Sequence, residues 1–503
     1  MILDFLNVVT ARQLRLAALA AVVAAAPGLS AQSPRPETAA LRIDSFISRA
    51  ASYRQFNGAI LVVDGGRKVY ERAFGEANIE WRVPNTLDTR FEIASMTKPM
   101  TAILILQLVQ EGKLRLDTRV SALLPFYPQE TGTRITVDQL LNHSSGLQQD
   151  IAFSNDPNSV PAIIAAINAD LLSNDSLVKL IAARPLRFEP GTSYGYSSDG
   201  YAVLGAIIER VTGQSYWQAL RARVLDRAGM SQTGVSLLGP LVEKRAAGYA
   251  QTFGGYENAP HIGVTAAGGL YSTLRDLQRF DQALYGESLV SDQSKELLFG
   301  LRPVVTAYGW KTSEDTLPDG TRRRVLRTTG GLPGFGALMV RVPAVRRTII
   351  MLTNTRDMVW RLDEFAVAIG RILDGLRYAP PRRSAAEAIA ADAQSGKTGV
   401  ELGRRFDAMR ADTVNFAVSE AELNRLGYYF LNSRGAPARA IEIFQLNVRA
   451  FPHSANVYDS LGEAYLAHAD TALAVSNYRR SLELDPNNGN AADILKRLAA
   501  PPR

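Results

Sequence analysis

Between residues 39 and 51 the apolar side chains Leu41, Ile43, Phe46 and Ile47 recur at helical spacing, which predicts a helix with one apolar face. The pattern then changes period. Residues 58–63 (Gly-Ala-Ile-Leu-Val-Val) and 68–74 are short β-rich runs on either side of Asp64-Gly65-Gly66, the composition of a hairpin turn. A second β-rich pair, 336–343 and 348–353, lies far downstream and is followed by a helical stretch over 363–376. Strands near both ends with helical patterning between them predict an α+β fold: an antiparallel sheet flanked by helices, with an inserted helical domain.

At Tyr378-Ala-Pro-Pro-Arg-Arg383 the composition shifts, and from Ser384 onward the pattern is helical throughout. The expected division is a domain over 39–377, a Pro-rich linker over 378–383 and an all-α domain over 384–503. Within the last, Leu426-Gly427, Ala440, Phe444 and Pro452 recur as Leu461-Gly462, Ala474, Tyr478 and Pro486, at offsets of 35, 34, 34 and 34 residues. This period resembles tetratricopeptide repeats, with two units at about 420–453 and 455–488. Such arrays need about three units to stand alone, so the helical stretch from 384 to 417 is expected to supply the missing packing surface. The resemblance implies a surface for a protein partner; stabilisation of the preceding domain is the other reading.

The N-terminus bears on compartment. Arg12 and Arg15 precede an apolar run over 16–26, then Pro27-Gly28 and the small pair Ser30-Ala31. This predicts a signal peptide over 1–31, cleaved after Ala31, and a periplasmic or secreted product. The run is short of the roughly 20 residues that cross a bilayer, and no later segment is long and apolar enough to span one.

Composition excludes several classes. With 46% hydrophobic and 21% charged residues the chain can bury a core. The net charge of +7 is dispersed over 503 residues, and the one compact basic run, Arg322-Arg323-Arg324, reads as a solvated turn. Nucleic acid is therefore not an expected partner. There is no cysteine, and the four histidines (His143, His261, His453, His468) show no metal-ligand spacing, so neither metal nor organic cofactor is expected.

Candidate chemistry begins at Ser95-Met96-Thr97-Lys98, which opens an apolar stretch read as a long amphipathic helix running to Gly112. Positions three apart share a helical face, so the Ser95 hydroxyl can meet the Lys98 amine at the start of that helix. A serine needs such a base before it acts as a nucleophile. The helix N-terminus also offers an unpaired Ser95 N–H for an oxyanion hole. Ser176-Leu-Val-Lys179 has the same letters, but Ser176 reads as the N-cap of the helix that follows.

Further segments single out Ser95. Phe91-Glu-Ile-Ala-Ser-Met-Thr-Lys98, Leu140-Leu-Asn-His-Ser-Ser-Gly-Leu147, Phe188-Glu-Pro-Gly-Thr192 leading to Tyr196-Ser-Ser-Asp-Gly-Tyr201, Ala267–Thr273 and Gly330-Gly-Leu-Pro-Gly-Phe335 follow in order. Together they resemble the serine β-lactamase and penicillin-binding protein family, which includes class C β-lactamases, D-alanyl-D-alanine peptidases and esterases, over about residues 41–376. The resemblance implies an acyl-enzyme on Ser95, with Lys98 and with Tyr196 from a Tyr-x-Asn motif as proton carriers. It implies an acyl substrate: an ester, a β-lactam or a cell-wall-like peptide.

Two positions depart from the family pattern. Ser198 stands where the second motif has Asn, which shortens the side chain and loses the paired donor and acceptor. Reading Ser198-Asp199-Gly200 as a Ser-Asp-Asn motif is the alternative register, and the flanking residues favour the tyrosine one. In the third motif Thr328-Thr329-Gly330, followed by Gly331, stands for Lys-Thr-Gly. The basic residue is missing, and Arg327 one position earlier is expected on the opposite face of the strand. This weakens the β-lactamase reading and leaves room for an esterase, an amidase or a non-catalytic ligand holder.

Three letter matches are set aside. Lys397-Thr398-Gly399 lies among helices beyond the linker. Lys311-Thr312, before the Asp319-Gly320 turn, reads as a sheet position. Gly191-Thr-Ser-Tyr-Gly195 lacks the preceding strand that a nucleophile elbow needs.

Overall fold

Helix α1 (Pro36–Ser52) buries Ile43, Phe46 and Ile47 as its pattern requires; Ala39 joins them, whereas Leu41 points to solvent and is 72% exposed. The computed structural model describes residues 36–149, 151, 165–166, 172–263, 265–302, 304, 306–355 and 359–499. The expected signal segment lies outside them.

Six strands form the main sheet: β1 (Gly58–Asp64), β2 (Arg67–Phe74), β3 (Lys311–Thr316), β4 (Arg322–Leu332), β5 (Phe335–Val342) and β6 (Arg347–Thr353). Their order is β3-β4-β5-β6-β1-β2, and every neighbouring pair is antiparallel. The N-terminal hairpin thus docks on the last strand, with Gly58 opposite Thr353 and Val63 opposite Thr348. Side chains alternate between two cores, as the strand period demands. Ile60, Val62, Leu338, Val340, Ile349 and Met351 meet α1 and a late helix on one face. Ala59, Leu61, Ala337, Met339, Ile350 and Leu352 meet the inserted helical region on the other.

Of the helices that follow, α2 (Lys98–Gln110) and α3 (Ser198–Thr212) each bring a residue to the site, α4 (Leu274–Ala283) packs on β6, and α5 (Val359–Leu373) brings a further residue to the site and packs beside α1. The expected amphipathic helix after Ser95 is instead buried on all sides from Lys98 to Leu108. Its sequence, Lys-Pro-Met-Thr-Ala-Ile-Leu-Ile-Leu-Gln-Leu, has almost no polar face, which suits a helix enclosed between a sheet and other helices. Helix α5 begins and ends a few residues earlier than the 363–376 stretch read from the pattern.

From residue 385 onward come α6 (Ala385–Gln394), α7 (Gly399–Ala411), α8 (Glu420–Tyr428), α9 (Pro437–Ala450), α10 (Ala455–Ala467), α11 (Thr471–Leu484) and α12 (Gly489–Ala499). Helices α6 to α10 share a core of their own, built on Ile389, Leu402, Phe406, Leu426, Phe444 and Leu461. The recurring Leu-Gly pairs have a packing cause. A Cβ on Gly427 would stand 2.3 Å from the Phe444 ring, and one on Gly462 would stand 3.1 Å from Tyr478. This part touches the first through Arg361 and Glu422, 3.3 Å apart. Gln251 Nε2 donates to Glu387 at 2.9 Å, and Gln394 Nε2 donates to the Phe253 carbonyl at 2.8 Å.

Candidate active site

Ser95 lies in a 3₁₀ turn, Ala94–Thr97, that runs straight into α2. Ala94 has φ of +47°, and Met96 N–H donates to Ile93 O at 3.0 Å, so the chain bends sharply to present the serine. One turn on, Lys98 is 1% exposed. Its Nζ donates to Ser95 Oγ at 3.0 Å, to Ser198 Oγ at 3.3 Å and to the Ala267 carbonyl at 2.9 Å. No carboxylate among the described residues pairs with this lysine.

Tyr196 comes from the loop ahead of α3 and sets its Oη 3.0 Å from Ser95 Oγ. Ser197 caps α3 by accepting the Gly200 N–H at 3.2 Å, which fixes the residue before it and the residue after it on the same side. Burial alone would push the Tyr196 phenol up. The nearby Lys98 charge, with hydrogen bonds shared with Lys98, Ser95 and Ser198, outweighs it and holds the phenol below its ordinary 10.0. The serine therefore touches two groups that can exchange a proton with it. Asp199 turns away to Arg184 at 2.9 Å, which leaves Ser198 alone at the Asn position of the tyrosine register.

Sequence reasoning placed His143 in a motif but gave it no part in the site. Its ring lies 4.5 Å from that of Tyr196, tilted by 33°, and its Nδ1 accepts the Ser197 N–H at 3.2 Å. Burial, and then the Lys98 charge, push its pKa down from 6.5 to about 3, so the ring is neutral. Its φ of +60° is a conformation non-glycine residues adopt only where surrounding contacts impose it.

A cavity of about 460 Å³ opens over these groups. Ser95, Lys98, Tyr196, Thr328 and Thr329 line it, together with Lys311, Arg327, Asp363 and Val367. Thr328 is 4% exposed and its Oγ1 has no partner among the described residues. Gly330 and Gly331 continue β4 beyond it. Gly330 is required by close approach: a Cβ there would lie 1.9 Å from the Ile93 carbonyl. Arg327 does leave by the opposite face, where its Nε lies 3.7 Å from Asp363. It still reaches the rim, because β3 ends at Lys311 and leaves the edge of β4 open past Arg327. Lys311, read from sequence as a sheet position, brings to this rim the positive charge that Thr328 lacks.

The letter matches take structural roles. Thr398 caps α7 in a capping box, and Lys397 pairs with Asp392. The helix after Ser176 starts earlier than expected, at Asn174, and its cap is Ser173 rather than Ser176. Gly191–Gly195 is turn and coil.

The β-lactamase family profile matches residues 43–370. A penicillin-binding protein of Bacillus subtilis (strain 168) is 31% identical over 354 residues, which is 66% of this chain and 75% of that one. Esterase EstB of Burkholderia gladioli is 36% identical over 204 residues, covering 39% of this chain and 51% of its own. The crystal structure of a penicillin-binding protein from Bacillus halodurans superposes with a TM-score of 0.56 at 25% identity, over 65% of this chain and 98% of that one. With most of the sheet-bearing region matched, this chain belongs to the β-lactamase family of serine hydrolases.

Proposed function

We propose that the protein is an exported serine hydrolase that works through an acyl-enzyme on ester, amide or β-lactam-type carbonyls, with the first two preferred. The observation that carries this reading is the position of Ser95 Oγ, 3.0 Å from both Lys98 Nζ and Tyr196 Oη. Ser95 Oγ attacks the carbonyl carbon while its proton passes to the Tyr196 phenolate, the form that the Lys98 charge favours. The oxyanion is held by the Ser95 N–H and by an N–H of β4 near Gly330 or Gly331. Collapse breaks the bond to the leaving alcohol or amine, which takes the proton from Tyr196. Water then attacks the acyl-enzyme, giving a proton to the Tyr196 phenolate, and as the bond to Ser95 Oγ breaks that proton passes to the serine oxygen and the acid is freed. No metal or organic cofactor enters these steps.

Thr328 in place of a base, and an esterase among the relatives, support esters and amides over β-lactams. The division at 378–383, a tetratricopeptide-like unit over 420–488 and export by residues 1–31 belong to the same reading. Gly427 against Phe444 and Gly462 against Tyr478 support the repeat.

The test is a fluorescent acyl-serine probe with a panel of p-nitrophenyl esters, D-Ala-D-Ala peptides and nitrocefin, on wild type and Ser95→Ala. Labelling and modest ester or amide turnover that vanish in Ser95→Ala are expected, with little nitrocefin hydrolysis. Rapid nitrocefin turnover reverses the substrate preference. A wild type inert to every probe favours a ligand holder.

A further inference from the structure

Asp363 and Val367 line two cavities at once. One is the site cavity over Ser95. The other, of about 970 Å³, runs between α5, the linker and the start of the C-terminal helices, past Tyr378, Pro380, Pro381 and Ala417. The two cavities therefore adjoin at Asp363 and Val367 on α5, and the far wall of the second belongs to the C-terminal part of the chain. The joint space exceeds the roughly 300–1,000 Å³ that holds a compact small ligand.

Charge in the groove is one-sided. Arg371, Arg377 and Arg382 are exposed there, and no carboxylate among the described residues pairs with any of them. Arg371 and Arg382 spend one N–H each on backbone carbonyls of Arg377 and Thr413. Two of the local carboxylates have cations already: Glu422 meets Arg361 at 3.3 Å and accepts from Ser384 Oγ at 2.6 Å, and Asp363 faces Arg327; Glu364, the third, lies on the same helix as Asp363. Across both cavities seven cationic side chains stand against three carboxylates. Between the guanidiniums lie apolar surfaces of Val367, Tyr378 and the two prolines.

We propose that this groove is a distal subsite for the acyl substrate, and that it takes an extended peptide-like chain bearing carboxylates. Guanidinium forks bind carboxylates through paired N–H donors, and the apolar surfaces between them suit the intervening chain. The C-terminal helices then take part in substrate recognition as one wall of the groove. This rests on the proposed hydrolase for the identity of the near end, but binding in the groove does not require turnover.

The experiment uses the full chain with Ser95→Ala and a fluorescein-labelled peptide of about six residues, roughly 20 Å extended, made in a glutamate-rich and a glutamine-rich form. Anisotropy is expected to show the glutamate form bound about tenfold tighter, a margin that falls with salt. Adding Arg371→Glu and Arg377→Glu is expected to abolish the margin, and the milder Arg371→Gln with Arg377→Gln to reduce it, with circular dichroism melting to confirm folding. Equal affinity for the two peptides, or a margin untouched in the folded arginine variants, overturns the proposal. On the Ser95 enzyme the same margin is expected in KM for ester-linked versions of the peptides. A margin in binding without any Ser95-dependent turnover would keep the groove and remove the hydrolase.

Discussion

At the residue scale, one hydroxyl lies between an amine and a phenol, and the phenol's acidity depends on the amine. Lys98→Met removes the charge that holds the phenol down, so probe labelling of Ser95 is expected to vanish while the melting profile stays cooperative. Tyr196→Phe keeps the ring and loses the proton carrier, for an expected drop of about 10²–10⁴-fold in acylation rate. In wild type the acylation rate is expected to rise with pH along a limb that lies below 10.0, since the phenol is held down. His143 makes a stability prediction. Its folded pKa of about 3 lies under the free value of 6.5, so above 6.5 neither state is charged. Between 6.5 and about 3 the unfolded chain takes a proton that the folded one refuses, and stability falls by up to about 1.4 kcal/mol per pH unit. His143→Asn is expected to lose less stability than wild type between those limits, as read by urea denaturation. The Ser95–Lys98 contact was readable from sequence because it is local, and Tyr196 because a motif marks it. Lys311 was not. It reaches the rim only because β3 stops opposite Arg327, and no spacing within the chain encodes where a neighbouring strand ends.

At the scale of elements, β4 and the turn carrying Ser95 touch backbone to backbone. Gly330→Ala would drive a methyl into the Ile93 carbonyl, so the turn must shift. The expected result is a stability loss of about 1–3 kcal/mol with a larger proportional loss of turnover, compared by denaturation and ester hydrolysis. Helix α4 is pinned to the sheet by a buried pair. Arg341 on β5 bonds Asp281 on α4, both nearly inaccessible, and Thr348 Oγ1 donates to the other Asp281 oxygen at 2.8 Å. Asp281→Ala leaves a guanidinium buried without its anion and is expected to cost about 3–5 kcal/mol. Helix α1 was legible from its period, and β1, β2, β5 and β6 from β-rich runs, β1 and β2 beside a glycine turn; since β1, β5 and β6 are buried on both faces, no alternation marks them. Their surroundings were less so. Nothing local distinguishes the enclosed α2 from an amphipathic helix with a few extra leucines, and Ser173 and Ser176 compete for one cap within a single turn.

For the whole molecule, the joint between the sheet-bearing part and the C-terminal helices combines polar contacts near residues 378–384 with the packing of Phe253 against Tyr429, ring centroids 5.9 Å apart. Glu422 is held by both Arg361 and Ser384, so Glu422→Ala is expected to speed limited proteolysis between residues 376 and 382, followed by mass spectrometry. Unaltered cleavage would mean that other contacts hold the joint. Neither this interface nor the groove beside it could be read from the sequence, because its members, from Gln251 to Glu422, have no common period or motif. The pairing of β1 with β6 has its own consequence for the living cell. During synthesis, Gly58 leaves the ribosome long before Thr353 exists, so a greasy ribbon waits without its neighbour while most of the polypeptide is made. A chain halted before that last partner emerges has no way to close its sheet, and it depends on chaperones rather than on its own fold to stay out of aggregates.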